Sequence, residues 1–243
     1  MKTSLRRVLF TGTLMVAAHS LMALPPQEED DSWTEGANTA YRPEAPPLDL
    51  AAVKQSAATG DADAQNNLGF MYASGQGVPR DFAEAARWYR KAADQDYPDA
   101  QNSLGVMYNN GQGFPRDYAE AIRWYRKAAD LGDVKAQYNL GQLYRHGYGV
   151  KQDYVEAALW YRKAADQDYA YGQHNFGVCY KNGQGVPRDN DKAYMWLDLA
   201  ASKSTGGDPK KSAAVRDSLA AQMTPDQIAR AQRRAREWVP GAE

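Results

Sequence analysis

The sequence predicts an all-α fold: a right-handed α-solenoid of helical hairpins, closed by terminal capping helices. Four similar segments start 36 residues apart, and one of them reads NGQGFPRDYAEAIRWYRKAAD from Asn110. Each segment follows a second apolar pattern with helical spacing, and a link rich in glycine and proline joins the two. A fixed period of this length indicates stacked hairpins, because one hairpin cannot bury its own apolar face.

The first residues of the chain resemble an export signal. Residues 1–23 begin with the basic residues Lys2, Arg6 and Arg7, continue with an apolar stretch over residues 8–18, and end in small residues suited to cleavage. The apolar stretch is short and contains polar residues, so we expect no membrane anchor. The protein is therefore expected to be exported, periplasmic or secreted after removal of the signal, with no transmembrane segment in the mature chain.

Residues 24–47 separate this signal from the repeats. They contain several prolines and an acidic cluster over residues 28–31, a composition typical of a disordered spacer. A short linear motif around Trp33 is the alternative.

The formal net charge of the chain is −1, so charge alone indicates no class of partner. We expect no nucleic acid for an exported protein.

The first helix of each repeat is predicted from its apolar stripe. In the first repeat the stripe is Ala64, Leu68 and Tyr72, whose spacing of four places them on one helix face. A glycine follows the leucine slot in every repeat. A glycine inside a helix costs roughly 1 kcal/mol relative to alanine, so its recurrence predicts a neighbouring helix packed against the backbone. The solenoid is expected over 48–204, with repeats near 61–96, 97–132, 133–168 and 169–204.

The second helix of the first repeat is predicted to start at Asp81, which suits an N-cap. Glu84 stands three residues later and predicts a capping box. Trp88 and the alanine pair that follows it form a bulky and a small surface that can interlock between neighbours. Gly75 suits the left-handed residue that closes the first helix, and Pro79 prevents that helix from continuing.

Both ends of the array carry helical patterns that lack part of the repeat. Residues 48–60 align with a second helix without its tryptophan and predict a half-repeat cap. Residues 205–243 contain two more helical segments, the last starting at Thr224-Pro225, and these capping helices are expected to cover the open face of the last repeat. The single cysteine, Cys179, excludes an intramolecular disulfide and occupies a slot of buried hydrophobic residues.

The repeated positions resemble those of the Sel-one-like repeat (SLR) family, a relative of the tetratricopeptide repeat. The shared pattern is A-x-x-x-L-G-x-x-Y-x-x-G-x-G-V-x-x-D-x-x-x-A-x-x-W-Y-x-K-A-A, and the likeness covers roughly residues 48–204. The departures from it are Lys151 and Gln152 in repeat three and Asp191, Lys192 and Leu197 in repeat four. The resemblance, strongest to exported bacterial members, implies an α-solenoid that binds other proteins or envelope components. It implies no single ligand.

The sequence predicts no catalytic, cofactor-binding or metal-binding constellation. After the signal, the chain contains two histidines, His146 and His174, which lack metal-type spacing. The glycine-rich links lack the Lys-Ser/Thr of a phosphate loop and follow helices, so turn chemistry explains them. A basic cluster on the last helix is a candidate for weak contact with an acidic surface, although cations are ordinary near a helix C-terminus. The cluster is Arg230, Arg233, Arg234 and Arg236.

The positions that vary between repeats are the candidates for recognition, because packing explains the fixed ones. On the first helices, the face opposite the apolar stripe is expected to line a concave surface. We predict there a groove for a protein partner, with Phe70 and Tyr138 as apolar anchors and with Arg145 and Lys181 paired to acidic groups. The alternative is that these residues are merely solvated. The full set is Asn66, Phe70, Asn102, Val106, Asn109, Tyr138, Gln142, Arg145, His174, Val178 and Lys181.

Alanine at Tyr138 and Arg145 is therefore expected to weaken binding without lowering the melting temperature.

The leading hypothesis is a non-catalytic scaffold or adaptor of the cell envelope, with no enzyme activity and no cofactor. One alternative is an envelope enzyme or direct modulator acting on peptidoglycan or lactams, which would show turnover abolished by a single polar substitution. Another is a secreted factor that binds host proteins and is recovered from the culture medium. The sequence does not identify the partner.

Overall fold

The computed structural model describes residues 50–203 and 207–241. The predicted export signal and spacer lie outside these residues. Within them the chain forms eleven helices and no strand, so the all-α prediction is confirmed. The helices are α1 Leu50–Ala58, α2 Ala62–Ser74, α3 Phe82–Ala93, α4 Pro98–Asn110, α5 Tyr118–Asp130, α6 Val134–His146, α7 Tyr154–Asp166, α8 Ala170–Asn182, α9 Asn190–Ala201, α10 Pro209–Ala220 and α11 Pro225–Glu237.

The helices pair in the order that the repeats predict. α2 packs on α3, α4 on α5, α6 on α7 and α8 on α9, and each second helix also packs on the first helix of the next pair. We name α2, α4, α6 and α8 the A helices and α3, α5, α7 and α9 the B helices. The result is an α-solenoid of four hairpins, with α1 packed on α2 and with α10 and α11 packed on α9.

The glycine inside each A helix receives a side chain from its own B helix. A Cβ added to Gly141 would lie 2.5 Å from Cε1 of Tyr161, and one added to Gly105 would lie 2.5 Å from Cδ1 of Tyr125. Carbon atoms in ordinary contact are about 3.5–4.0 Å apart, so no larger residue fits while the ring stays in place. The predicted close neighbour is thus confirmed. It is a tyrosine in three repeats and Leu197 in the fourth.

Each B helix starts at an aspartate, but the predicted capping box is incomplete. In α5, Asp117 Oδ1 accepts hydrogen bonds from the backbone N–H groups of Ala119 (2.9 Å) and Glu120 (3.0 Å), as an N-cap does. The box would also need a bond from the Asp117 N–H to the Glu120 carboxylate. That N–H instead donates to the carbonyl oxygen of Tyr108 at 2.9 Å, and the carboxylate pairs with Arg123. The second half of the box was therefore wrong.

Two glycines shape the link between an A helix and its B helix. Gly111 ends α4 with φ 70°, and its N–H donates to the carbonyl oxygen of Met107, which also accepts from the Gln112 N–H at 2.9 Å. This is the left-handed closing residue that the sequence predicts. The second glycine of each link lies against the preceding hairpin. In the link of repeat four, a Cβ on Gly185 would fall 1.8 Å from the carbonyl oxygen of Tyr154, at the start of α7. A larger residue there would push consecutive hairpins apart.

Tryptophans of the B helices pack between hairpins, as the sequence predicts. Trp124 is buried in the cluster formed by α3 and α4, and the Arg90 guanidinium lies 4.6 Å from the centre of its ring. Arg90 also donates to the Tyr108 hydroxyl at 3.0 Å, so one arginine joins both helices of the next hairpin. Trp88 packs with residues of α1 and α2 and is only half-buried.

A buried glutamine ties each of the first three A helices to the helix before it. The side-chain amides donate to backbone carbonyl oxygens, Gln65 to Ala57, Gln101 to Ala93 and Gln137 to Ala129. In repeat three, Gln137 Oε1 also accepts a 2.8 Å bond from Gln167. In repeat two, Leu131 stands in the slot of Gln167, and Gln101 Oε1 is buried without a hydrogen-bond partner among the described residues.

The last two helices cover one side of repeat four. Leu219 of α10 and Ala231 of α11 form a buried cluster with Leu197 of α9. α11 has a complete capping box, in which Thr224 and Gln227 exchange hydrogen bonds of 2.8 and 3.3 Å.

Cys179 is buried, as predicted, and burial raises the pKa of its thiol to about 11. The thiol is therefore protonated at neutral pH and is a poor nucleophile.

Candidate binding cleft

A cleft of about 530 Å³ opens on the A-helix side of the first two repeats. Its lining combines apolar, amide and charged side chains from α2, α3 and α4, from the links between them and after α4, and from Lys135 of α6. The polar members include Asp63, Asn66, Asn67, Arg80, Asp99, Asn102, Ser103, Gln112 and Lys135. Among the described lining residues two carboxylates face two cationic groups, so the cleft is polar without a marked net charge.

The repeat period explains why these side chains meet. Residues 36 apart occupy the same place on successive A helices, so Asn66 of α2 is followed by Asn102 of α4. Phe70 and Val106 share a second such slot, four residues later. Each A helix buries its Ala, Leu and Tyr stripe against a B helix, which leaves these slots on the opposite side.

Hydrogen bonds hold the carboxylate of Asp63 at the rim of the cleft. Its Oδ1 accepts from the Tyr97 hydroxyl at 2.7 Å, and its Oδ2 accepts from Asn67 Nδ2 at 3.0 Å. Tyr97 lies directly before α4, so the bond joins the two A helices across the cleft. The carboxylate is therefore oriented before any ligand arrives.

Two asparagine side chains in the cleft differ in their hydrogen bonding. Asn102 Oδ1 accepts from Asn139 Nδ2 of α6 at 3.1 Å. Asn66 Oδ1 is buried and has no partner among the residues that the structure describes. The residue that would match Asn139 one repeat earlier is Ser103, whose hydroxyl donates to its own helix, at the carbonyl oxygen of Asp99 (2.8 Å). A serine in this slot thus leaves the asparagine oxygen unpaired.

Part of the predicted groove coincides with this cleft. Asn66, Phe70, Asn102 and Val106 line it. The other predicted residues lie outside it. Asn109 is 5% exposed, and its Nδ2 donates to Asn110 Oδ1 at 2.8 Å on the same helix. Whether a partner contacts any of these residues stays a prediction.

Tyr138 is not an exposed anchor, and its predicted placement is corrected. It is 3% exposed, and its ring centre lies 6.2, 5.8 and 5.6 Å from those of Tyr161, Tyr169 and Tyr171. Tyr171 stands where the earlier repeats have Asp99 and Lys135, and it offers an aromatic surface onto which Tyr138 folds. Removing a buried aromatic ring costs about 3–5 kcal/mol, so alanine there should lower the melting temperature, contrary to the expectation from sequence.

Gln142 joins the two helices of the third hairpin, Arg145 joins the third hairpin to the fourth, and neither lines the cleft. Gln142 is 5% exposed and its Oε1 accepts a hydrogen bond from the Tyr161 hydroxyl. Burial raises the pKa of Tyr161 well above its usual range, so this hydroxyl keeps its proton. Arg145 donates to Asn175 Oδ1 of α8 at 3.1 Å. Both residues therefore have structural roles in repeats three and four.

The A-helix side of repeat four is covered by α10. His174 Nδ1 lies 2.9 Å from the Ser212 hydroxyl of α10, and Val178 packs with the cluster that contains Leu219. Lys181, in the last turn of α8, is half-buried. The sequence predicted a cap but could not show that it would lie over these residues. An open groove along all four repeats is therefore not present in the described part of the chain.

The basic cluster of α11 is only partly available. Arg230 pairs with Asp191 of α9, with Nε 3.1 Å and Nη2 3.0 Å from the same carboxylate oxygen. Arg233, Arg234 and Arg236 are exposed. Contact of these arginines with an acidic surface stays a prediction.

Residues 50–203 and 207–241 contain neither a cluster of metal ligands nor a membrane-spanning helix. No group of His, Cys, Asp and Glu side chains there is arranged to hold a metal ion. Each helix in these ranges is too short or too polar to cross a bilayer.

Known proteins resemble the chain at the level of the repeat. A family model described as Sel1 repeat matches residues 62–97, 98–133, 134–169 and 170–204. A Sel1 repeat protein from Oxalobacter formigenes shares 36% identity with a TM-score of 0.63, over 70% of this chain and 48% of that one. A protective antigen present in uropathogenic Escherichia coli strains, which displays an SLR fold, shares 28% identity with a TM-score of 0.51, over 77% of this chain and 47% of that one.

The chain thus spans about half the length of both solved structures. No curated protein is significantly similar to it.

Proposed function

Because the chain belongs to the Sel1 repeat family, whose members generally mediate protein–protein interaction, we propose that it is a scaffold of the cell envelope that holds a protein partner in the cleft between α2 and α4. The family is generally non-catalytic, and we propose the same for this chain. The observation that carries the proposal is the cleft itself, because variable side chains of α2 and α4 line it, with Asn66 and Phe70 half-buried and Asn102 and Val106 buried.

The dimensions and lining of the cleft suit a segment of a protein. Its volume of about 530 Å³ falls in the usual range of about 300–1,000 Å³ for binding pockets. Phe70 and Val106 offer apolar contacts, and the surrounding amides and charges can orient polar groups. This combination of apolar contacts and a polar surround is common where proteins bind one another.

The proposed location outside the cytoplasm rests on the export pattern of residues 1–23. It is tested by fractionating cells that produce the chain with a C-terminal tag. Recovery in the periplasm supports the envelope role, and recovery in the medium favours the secreted alternative. Retention in the cytoplasm at full length would reject both.

Partner binding is tested by crosslinking in cells followed by affinity capture of the full chain. The test variant is Asp99→Arg, which places a long cation in the cleft at an exposed position. The matched control is Asp130→Arg, the same exchange at an exposed position of α5 that does not line the cleft. Circular dichroism melts of both variants show whether the fold is kept.

The proposal expects one protein to be captured by the wild type and by Asp130→Arg, and lost from Asp99→Arg. Equal capture by all three chains would move the binding surface away from the cleft. Loss from both variants would indicate a general effect of added positive charge. Failure of the wild type to capture any protein would count against the scaffold.

A further inference from the structure

We propose that the cleft recognises an extended peptide segment of the partner through its main chain, with Asn66 accepting a hydrogen bond from a peptide N–H and Asn102 donating to a peptide carbonyl oxygen. The inference rests on the proposed function and adds the chemistry of the bound segment. Four observations carry it: an unpaired acceptor, an available donor, a balanced charge and two apolar contacts.

The acceptor is Asn66 Oδ1. It is buried within α2 at the cleft, with no hydrogen-bond partner among the described residues. Buried acceptors in folded proteins nearly always have a partner, so an unpaired one beside an open cleft is a position where a ligand donor is favoured. The equivalent oxygen one repeat later, Asn102 Oδ1, is paired with Asn139, which shows that this slot accepts a bond when a donor is present.

The donor is the NH₂ group of Asn102. Its oxygen is used by Asn139, and the side chain lines the cleft, so its two N–H donors are left for other partners. Asn66 and Asn102 occupy the same slot of neighbouring A helices, one on each side of the cleft. The pair therefore offers a donor and an acceptor across the same space, the acceptor once the Asn66 amide turns from its buried position toward the cleft.

This arrangement matches a polypeptide main chain better than a charged side chain. An extended main chain presents one N–H and one C=O at every residue other than proline. The described charged residues in the lining are two acidic and two basic, so neither an anion nor a cation is strongly preferred. Phe70 and Val106 lie four residues beyond the two asparagines and form the apolar part of the lining, where half-buried Phe70 has more surface than Val106, which is 7% exposed, to receive an apolar side chain of the peptide.

The test selects peptides that bind the full chain from a phage-displayed library of random peptides about twelve residues long. Selected peptides are synthesised, and their dissociation constants are measured by fluorescence anisotropy. The key variant is Asn66→Leu, which removes the unpaired acceptor and keeps the branching of the side chain at Cγ. We expect affinity to fall at least about tenfold while the melting temperature stays equal or rises, because a buried unsatisfied oxygen has been removed. A residue needed only for folding would lower the melting temperature instead.

The matched control is Asn182→Leu in the last turn of α8, outside the cleft, which should leave peptide affinity unchanged. A second readout replaces single peptide bonds of the ligand by esters, which lack the N–H. One such ester should weaken binding to the wild type and have little effect on Asn66→Leu, because the same bond is already lost.

The outcomes separate this inference from the scaffold proposal. If Asn66→Leu binds selected peptides as tightly as the wild type, or if no ester position matters, main-chain recognition at Asn66 is wrong, while peptide binding elsewhere would still fit a scaffold. If no peptide is selected but crosslinking captures a partner that Asp99→Arg loses, the cleft binds a folded surface and the inference is overturned. If both experiments find nothing, the scaffold proposal fails with it.

Discussion

Replacing Leu131 by glutamine should stabilise the protein by supplying a bond that repeat two lacks. Gln101 Oε1 is buried without a partner among the described residues, whereas Gln137 Oε1 in repeat three accepts a 2.8 Å bond from Gln167. Leu131 occupies the slot of Gln167 and is 51% exposed, so it contributes little to the core. Its backbone has φ −86° and ψ 5°, close to the −88° and 17° of Gln167, so glutamine fits without strain.

The expected gain is modest and can be bounded. A new intramolecular hydrogen bond contributes about 0.5–1.5 kcal/mol net, and relief of an unsatisfied buried acceptor places the gain in the upper half of that range. Ordering a long side chain offsets part of it. We expect the free energy of unfolding to rise by about 0.5–1 kcal/mol, which for a chain of this length corresponds to about 1–4 °C in melting temperature.

The assay is urea and thermal unfolding followed by far-UV circular dichroism, with calorimetry to test whether the array unfolds in one step. Leu131→Glu is the matched control, because glutamate has the same shape as glutamine but no donor when ionised. An equal gain from glutamate, or no gain from glutamine, would refute the account of Gln101. The reverse exchange, Gln167→Leu, should cost about 1–2 kcal/mol, because it leaves Gln137 Oε1 unpaired.

Three other expectations follow. Gly141→Ala should lower the free energy of unfolding by about 1–2 kcal/mol in thermal melts, because overpacking against Tyr161 costs more than the helix-propensity gain of about 1 kcal/mol. Ala214→Gly, at an exposed position of α10, measures the size of that propensity gain. In urea titrations, Asp117→Ala should cost about 1 kcal/mol and Glu120→Ala under about 0.5, since only the aspartate caps α5. In pH-dependent melts, the stability of the wild type is expected to fall between about pH 4 and pH 6, and Asp133→Asn should flatten that fall.

The sign of the last effect follows from the folded state. Burial, with a smaller contribution from the Asp99 carboxylate, raises the pKa of Asp133 to about 6. The unfolded chain releases this proton near pH 3.9, so between the two values the folded protein binds the proton more strongly. The stabilisation that this proton provides is lost as the pH rises toward 6. Asparagine keeps the N-cap bond to Ala136 and carries no titrating proton.

The fold could be predicted because the residues that make each packing contact recur at equivalent positions of several repeats. Recurrence at Gly69 and its equivalents pointed to a close neighbour, and the aspartate before each B helix pointed to an N-cap. The return bond from glutamate was mispredicted for a physical reason. The Asp117 N–H already donates to the carbonyl oxygen of Tyr108 in the last turns of α4, a backbone bond that no side-chain pattern records.

The candidate site was harder to predict, because it depends on differences between repeats. Asn66, Phe70, Asn102 and Val106 were found from variable slots. Tyr138 fills the same slot as Asn66, but its aromatic neighbours bury it, and slot identity cannot distinguish the two cases. Likewise, the contact between His174 and α10 brings together segments whose relative position is not encoded in either segment alone.

The bond between the aspartate N–H and the preceding tyrosine carbonyl also limits how such a chain can change in length. It recurs at Asp81, Asp117, Asp153 and Asp189, always over the same interval of sequence. Losing one residue from a helix would turn everything after it by about 100°, carrying the next apolar stripe out of register. A gain or loss of one whole unit keeps the contacts that recur in every repeat in register. Such a sequence is expected to lengthen or shorten by duplication and excision of complete 36-residue blocks, so its natural unit of inheritance is the hairpin.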